Sequence, residues 1–83
     1  MPYYTYVLKS LDHDRYYKGH CGDLDKRLQQ HNKGQVKSTK PYAPWKVIYH
    51  EEFLTREEAI ARERYFKTAA GRRYLKSVLK KQD

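Results

Sequence analysis

Alternating apolar and polar positions at the start of the chain predict a β-hairpin. Residues 3–9 are rich in aromatic and β-branched side chains, which favour strands. The period of two places three of their side chains on one face: Tyr4, Tyr6 and Leu8. A polar turn, Asp-His-Asp, lies within residues 11–15, and residues 16–20 form a second short strand. We therefore expect the first two elements to pair.

The next element has the period of a helix. Asp23 is typical of an N-cap and Asn-Lys-Gly at 32–34 of a helix stop, so a helix is predicted over 24–32. Spacings of four and seven residues put three side chains on one of its faces: Leu24, Leu28 and His31. A lysine-bearing loop, closed by two prolines, follows over 33–44.

A third strand and two further helices complete the order. Residues 45–53 form a strand with alternating sides: Trp45, Val47 and Tyr49 on one, Lys46, Ile48 and His50 on the other. A T-x-x-E capping box at 55–58 opens a helix that runs to about Ala70. Gly71 then interrupts, and a basic helix follows over 72–80. The order β-β-α-β-α-α predicts an α+β fold with a small antiparallel sheet flanked by helices.

Length and composition limit the class of protein. Eighty-three residues, 39% of them hydrophobic, predict one domain over 1–83 with a small core that is rich in tyrosine. No apolar run approaches the roughly 18 residues of a membrane helix, and no basic stretch precedes a signal-like segment. The one cysteine, Cys21, excludes an internal disulfide framework and a cysteine-based zinc site. We expect a cytoplasmic protein without a membrane partner.

The charge points to a polyanionic partner. Eighteen basic and ten acidic residues give a formal net charge of +8, and both ends of the chain are basic. This balance favours nucleic acid over a surface that is basic only to remain soluble. Walker, G-x-G-x-x-G and H-x-x-x-H patterns are absent from the sequence, so neither a nucleotide fold nor a histidine metal site is indicated.

Two charged side chains interrupt apolar faces. The second predicted helix has a carboxylate in its one apolar stripe: Ala59, Glu63, Phe66 and Ala70. An unpaired buried carboxylate costs several kcal/mol, so Glu63 either needs a cation, which is a metal ion or a side chain such as Arg27 or Lys67, or turns outward to the rim of the helix face. Arg27 lies at the edge of a core face, one turn before His31. It either covers the core with its methylenes or binds phosphate.

The tyrosines of the hairpin are the third feature. Most of them are expected to pack, but a phenol is also a general base if nearby cations lower its pKa from about 10. Arg27, His20 or a metal ion would supply that charge. His20, at the end of the second strand, could also reach a phosphate or relay a proton.

Taken together, these segments resemble the GIY-YIG nuclease domain. Tyr-Thr-Tyr at 4–6 stands at the first name-giving motif and Tyr-Lys-Gly at 17–19 at the second. DLDKRLQQHN at 23–32, PWKVIYH at 44–50 and EEAIARERYFK at 57–67 also match, so the resemblance covers nearly the whole chain. It is strongest to the small single-domain members, which are similar to the N-terminal nuclease domain of the excision-repair protein UvrC.

The resemblance implies a three-stranded antiparallel sheet and metal-dependent hydrolysis of a DNA phosphodiester. One divalent ion, Mg²⁺ or Mn²⁺, would be bound by Glu63, which matches the metal-binding carboxylate of the family. Arg27 matches the arginine that stabilises the transition state. Tyr6 and Tyr17 match the tyrosines of the two motifs, and either would serve as the base.

Two histidines and the basic segments complete the implied site. His20 falls where members carry a Lys or His near the scissile phosphate, and His31 matches a Tyr or His. We expect the loop and the last helix to hold the DNA backbone by counterion release, through six residues: Lys33, Lys37, Lys40, Arg72, Arg73 and Lys76. Larger members choose substrates with a second domain or a partner, so a protein partner is a candidate source of specificity.

Three functions are open from the sequence alone. The first is a DNA endonuclease acting in repair or on structured DNA. The second is a nucleic-acid-binding module on a decayed nuclease fold, which would bind in a salt-dependent way without cutting. The third is a small protein-interaction or ribosome-associated domain with no preference for DNA. The joint presence of Tyr6, Tyr17, Arg27 and Glu63 favours the first, because a mere binder has no use for a buried carboxylate.

Overall fold

A computed structural model describes residues 1–81. Its elements are β1 Tyr3–Ser10, β2 Tyr16–Cys21, α1 Leu24–Asn32, β3 Trp45–Phe53, α2 Arg56–Phe66 and α3 Ala69–Lys81, with a 3₁₀ turn at Lys40–Tyr42. The α+β class, the order β-β-α-β-α-α and the bounds of α1 and β3 are confirmed. Gln82 and Asp83, at the end of the predicted domain, lie outside the described residues. Over residues 1–81, no helix combines the length and apolar character that crossing a membrane requires.

The central strand is β1. The sheet order is β2-β1-β3, and both pairs are antiparallel. Side chains of β1 alternate between two covered faces, and each face has its own core. Face A carries the cluster against which α1 packs: Tyr6, Leu8 and Trp45. Face B carries the cluster to which α2 and α3 contribute: Val7, Phe66 and Leu75.

The predicted starts of α1 and α2 are confirmed, whereas α3 begins at Ala69, three residues before the predicted start at Arg72. Asp23 accepts a hydrogen bond from the backbone N–H of Lys26 at 3.0 Å. Thr55 and Glu58 form the two reciprocal bonds of a capping box. These caps satisfy N–H groups that the first turn of a helix leaves without partners. On α1 the predicted face is inward, and His31 is 0% exposed.

Two predictions about α2 are wrong. It ends at Phe66 rather than near Ala70, and Gly71 lies within α3 instead of interrupting the chain before it. A Cβ on Gly71 would lie 1.9 Å from the backbone carbonyl oxygen of Tyr65. The glycine therefore lets α3 pack tightly against the end of α2. Ala70 belongs to α3 and is exposed, so the apolar stripe of α2 stops one turn earlier than predicted.

A β-bulge overturns the predicted alternation of β3. The pairing of β1 with β3 shifts between Val7 and Leu8, which leaves Ile48 as the extra residue. Beyond it the two faces exchange. Tyr49 therefore packs against Phe66 on face B, with ring centroids 6.2 Å apart, and not on the side predicted for it.

Candidate active site

Side chains of β2 enter two clusters, one on each face of the sheet. Within residues 1–81, β2 is an edge strand whose one neighbour in the sheet is β1. Tyr17 packs on face A with Tyr6. His20, three residues further on, points to face B and reaches α2. We call the group on face A the tyrosine cluster; it consists of Tyr6, Tyr17, Arg27 and His31. We call the group on face B the glutamate cluster; it consists of His20, Glu63 and Lys67.

The tyrosine cluster joins β1, β2 and α1. The hydroxyl oxygen of Tyr6 lies 2.9 Å from Nε2 of His31. The ring centroid of Tyr17 lies 5.0 Å from that of His31 and 6.3 Å from that of Tyr6. Gly19 makes this packing possible, because a Cβ there would lie 2.6 Å from the Tyr6 hydroxyl oxygen. Site residues that were predicted in three separate segments of the sequence therefore lie together in the fold.

A chain of hydrogen bonds determines which atoms of the cluster carry protons. The Thr39 hydroxyl donates to the Val36 carbonyl at 3.3 Å, so it accepts from Nδ1–H of His31 at 2.8 Å. Nε2 of a neutral His31 is then an acceptor, to which the Tyr6 hydroxyl donates. Burial, and next the charge of Arg27, lower the pKa of His31 to about 4. The imidazole is therefore neutral at neutral pH.

Burial also controls the phenol of Tyr6. It raises the pKa of Tyr6 to about 12, although the Arg27 guanidinium acts in the opposite direction. The expected lowering by Arg27 is thus present but smaller than the effect of burial. Arg27 also donates to Oε1 of Gln30 at 2.9 Å, which orients its guanidinium. At neutral pH Tyr6 keeps its proton, and that proton has an acceptor in His31.

Glu63 has two hydrogen-bonding partners on face B. Its Oε1 lies 2.6 Å from Nδ1 of His20, and its Oε2 accepts from Nζ of Lys67 at 2.8 Å. Burial raises the pKa of Glu63, but the hydrogen bonds from Lys67 and His20 outweigh it and lower the pKa. The carboxylate is therefore ionised. Of the two side chains considered as its cation, Lys67 is its partner, and Arg27 belongs to the tyrosine cluster.

Glu63 suits a magnesium ion that takes a single carboxylate ligand from the protein. Over residues 1–81, no three His, Cys, Asp or Glu side chains come together as a metal-binding group. Magnesium is often held by one carboxylate, with waters and substrate phosphates completing its shell. The Lys67 side chain is 57% exposed, so it can leave the carboxylate to such an ion. Glu63 thus fits as the single protein ligand.

The residues predicted to bind DNA fall into two separate groups. The loop 33–44 contacts the tyrosine cluster through Thr39, and its three lysines are exposed: Lys33, Lys37 and Lys40. α3 packs on face B and carries three exposed cations: Arg72, Arg73 and Lys76. Arg72 and Lys76 line a groove on that side, which Arg73 does not reach.

Thr39 is one of two site residues that were not predicted from the sequence. It is 1% exposed, and its carbonyl accepts from Nε1 of Trp45 at 2.9 Å. No periodic pattern marks a buried residue in an irregular loop, so no local signal could have found it. Gln30 was also missed, but its spacing of three from Arg27 on a helix was an available signal.

The sheet, the flanking helices and these clusters define a class of protein. The family model described as "GIY-YIG catalytic domain" matches residues 2–76, and the chain belongs to the GIY-YIG family. The members of this family are nucleases that act on DNA and generally depend on divalent metal ions. The resemblance drawn from the sequence is confirmed.

Within the family, the chain is similar to small proteins of the group named UPF0213. Protein SSP2268 of Staphylococcus saprophyticus is 38% identical over 77 residues, covering 92% of this chain and 93% of that protein. A UPF0213 protein of Bacillus pumilus is 45% identical over 67 residues, covering 80% and 67%. The solution NMR structure of UPF0213 protein BH0048 from Bacillus halodurans matches 94% of this chain and 85% of that chain, with 28% identity and a TM-score of 0.55.

Proposed function

We propose that this protein is a metal-dependent endonuclease that hydrolyses DNA phosphodiester bonds, either during DNA repair or in the processing of structured DNA. The observation that carries the proposal is the ionised, half-buried Glu63 in a chain of net charge +8. A carboxylate repels phosphate, so it would weaken a protein that only bound DNA. As the ligand of one Mg²⁺ or Mn²⁺ ion, Glu63 would instead place positive charge against the phosphate.

The proposed proton acceptor is His31, acting through Tyr6. A phenol with a pKa of about 12 is costly to ionise at neutral pH. As the attacking water gives a proton to the Tyr6 oxygen, Tyr6 passes its own proton to Nε2 of His31, with which it is already hydrogen-bonded at 2.9 Å. No phenolate forms, and the imidazole serves as the general base. Because its pKa is about 4, it is a weak base, so the attacking water would also need the acidifying effect that a bound divalent ion supplies.

Arg27 would act on the phosphate from the tyrosine cluster, and His20 would act on Glu63 in the glutamate cluster. The guanidinium of Arg27 offers parallel N–H donors to the oxygens that gain charge in the transition state. His20 holds one oxygen of Glu63 and so orients the carboxylate. A bound divalent ion would stabilise the charge on the leaving oxygen. We infer that the scissile phosphate lies along the open edge of β2, the strand that contributes to both clusters.

Specificity and location belong to the same proposal. Larger members of the family choose substrates with a second domain or a partner, and we assign that role to a protein partner here. The cytoplasmic location and the single domain over 1–83 stay predictions.

Cleavage of a DNA panel tests the proposal. Duplex, flap, branched and single-stranded DNA are incubated with magnesium, manganese or chelator. We expect the wild type to cut with either metal and not with chelator, and Glu63→Gln to cut at least about 100-fold more slowly while DNA binding is retained. Glu57→Gln is the matched control, because Glu57 lies on the same helix but is exposed to solvent.

Two outcomes would contradict the proposal. A folded wild-type protein that binds every DNA of the panel without cutting would favour the nucleic-acid-binding module. Equal cutting by the wild type and Glu63→Gln would remove the carboxylate from the mechanism. Circular dichroism of each variant establishes that it is folded.

A further inference from the structure

A groove lined by cations lies on face B, between the sheet and α3. Its volume is about 980 Å³. Five aliphatic residues line it: Val7, Val47, Ile48, Leu75 and Leu79. Val7 and Leu75 are buried, so Ile48 and Leu79 provide its accessible apolar surface on face B. Six cationic side chains line it as well: Lys9, Lys18, Lys46, Arg72, Lys76 and Lys80. Among the described residues, no carboxylate contributes to this lining, so the groove suits a ligand that is both apolar and anionic.

The sheet contributes one face of β1, β2 and β3 to the groove. Lys18 pairs with Val7, and both Tyr16 and Lys46 pair with Lys9. Directly paired residues point to the same side of a sheet. Their side chains therefore form one continuous surface on face B, opposite the tyrosine cluster.

Tyr16 adds an exposed aromatic ring to this surface. It is 52% exposed, although it belongs to a strand of the sheet. Nζ of Lys9 lies 5.2 Å from the centroid of its ring. An exposed ring beside a row of cations is the arrangement on which nucleic-acid bases stack.

The cations of the groove continue to the glutamate cluster. Burial lowers the pKa of Lys18, and the charges of Arg72 and Lys67 lower it further, so each of these two cations lies close enough to Lys18 to repel it. Arg72 donates from Nη1 to the Lys67 carbonyl at 3.0 Å, and Lys67 holds Glu63. A polyanion that enters at the groove and reaches Glu63 would relieve this repulsion.

We propose that the groove binds a single-stranded segment of nucleic acid, with phosphates on the cations and bases on Tyr16 and on the apolar floor that Ile48 and Leu79 form. The proposal rests on the proposed function, because the bound strand would continue to the phosphate cut at Glu63. A duplex keeps its bases stacked inside and presents only its backbone, so it could not use the floor. A single strand presents charge and apolar base faces together.

Binding in chelator tests the groove without any cutting. Fluorescence anisotropy of the full chain is measured with an oligothymidylate of about 12 nucleotides, its RNA counterpart and a duplex. Removing one cation that binds a phosphate of a single strand lowers affinity about fivefold at about 0.1 M salt and reduces the salt slope by about 0.7. We therefore expect Lys46→Gln/Lys76→Gln to bind the single strand about 25-fold more weakly. Arg56→Gln/Arg64→Gln, with the same charge change outside the groove, should bind within about twofold of the wild type.

A pair of variants tests the stacking surface. Tyr16→Ser is expected to lose about fivefold in single-strand affinity, and Tyr16→Phe to keep it, because the ring and not the hydroxyl stacks. Weakened binding of the groove variant to either the DNA or the RNA strand supports the proposal. The strand that the wild type binds more tightly shows whether the groove prefers deoxyribose or ribose.

Other results would overturn the groove. Equal losses in the two double variants would mean that only net charge matters. Tighter binding of the duplex, or a loss confined to Lys33→Gln/Lys37→Gln, would place the nucleic acid elsewhere. If neither strand distinguished the groove variant from its control, an acidic amphipathic helix would be the better occupant. The two proposals can fail separately. If the groove variant binds more weakly than its control but the wild type never cuts, the nuclease proposal alone is refuted. If the wild type cuts but the groove variant and its control bind equally well, the groove proposal alone is refuted.

Discussion

Both ring nitrogens of His31 lie within hydrogen-bond distance of a hydroxyl group. Nδ1–H donates to the hydroxyl of Thr39, and Nε2 accepts from Tyr6. Adding a proton at Nε2 would set two donors against each other unless the Tyr6 hydroxyl turned away. The hydrogen-bond pattern and the complete burial of the ring therefore act together to favour the neutral imidazole.

Acid is expected to destabilise the fold through His31. Its pKa in the folded protein is about 4, below the ordinary 6.5, so the unfolded chain binds more protons between these values. The free energy of unfolding therefore falls as the pH is lowered from about 6.5 to about 4, by about 3 kcal/mol from this residue. Urea unfolding of the wild type and His31→Gln across this range isolates the effect from that of the carboxylates. Parallel pH profiles for the two proteins would show that His31 does not contribute.

Thr39 is expected to act as a positioning residue for the relay. Thr39→Val leaves Nδ1–H of His31 without its acceptor, which costs about 1–3 kcal/mol of stability. We expect kcat for cutting to fall about tenfold, with KM unchanged, because the imidazole no longer favours one tautomer. Thr39→Ser keeps the hydroxyl and should restore kcat. A pH–rate profile that is the same for Thr39→Val and the wild type would limit Thr39 to a structural role.

At the scale of elements, one side chain ties α2 to its neighbours. The guanidinium of Arg62 lies 4.9 Å from the ring centroids of Tyr65 and Phe66, and 4.8 Å from that of Tyr74 on α3. Its Nε donates to Oε1 of Glu51 on β3 at 2.7 Å. Stacking and a charged hydrogen bond thus join three elements, and they hold in place the helix that carries Glu63.

The turn between α2 and α3 is expected to depend on Gly71. A Cβ at this position would lie 1.9 Å from a backbone oxygen, which cannot swing away as a side chain would. Gly71→Ala should therefore lower the free energy of unfolding by about 2–3 kcal/mol, more than the roughly 1 kcal/mol that alanine gains in a helix. Gly22→Ala is the matched control, since the nearest atom to its Cβ would be 3.9 Å away. Urea unfolding measures both, and a Gly71→Ala protein as stable as the wild type would contradict the close contact.

The elements that could be predicted are those bounded by local signals. Asp23 marks the start of α1 and Asn-Lys-Gly its end, and the observed helix, Leu24–Asn32, has the predicted bounds. The end of α2 depends on a contact between Gly71 and the backbone of Tyr65, and the face of Tyr49 depends on a bulge. Neither leaves a mark in the local pattern of apolar residues.

For the whole molecule, the net charge favoured nucleic acid as the partner but did not show which surfaces would contact it. The net charge of +8 suggested nucleic acid, and the two basic segments were expected to hold one backbone. Topology separates them, because loop 33–44 follows α1 beside face A and α3 packs on face B. The candidate site is divided in the same way: the resemblance named Tyr6 and Glu63 together, but only the fold shows that they lie in different clusters.

The register of β2 makes the protein sensitive to length at one turn. Tyr17 and His20 are an odd number of residues apart, so they point to opposite faces. A slip of β2 by one residue against β1 would send each to the wrong face, Tyr17 away from Tyr6 and His20 away from Glu63. Loop length sets the register of a hairpin. An insertion in residues 11–15 that shifted the pairing by one would therefore dismantle both clusters in a chain that still forms its sheet.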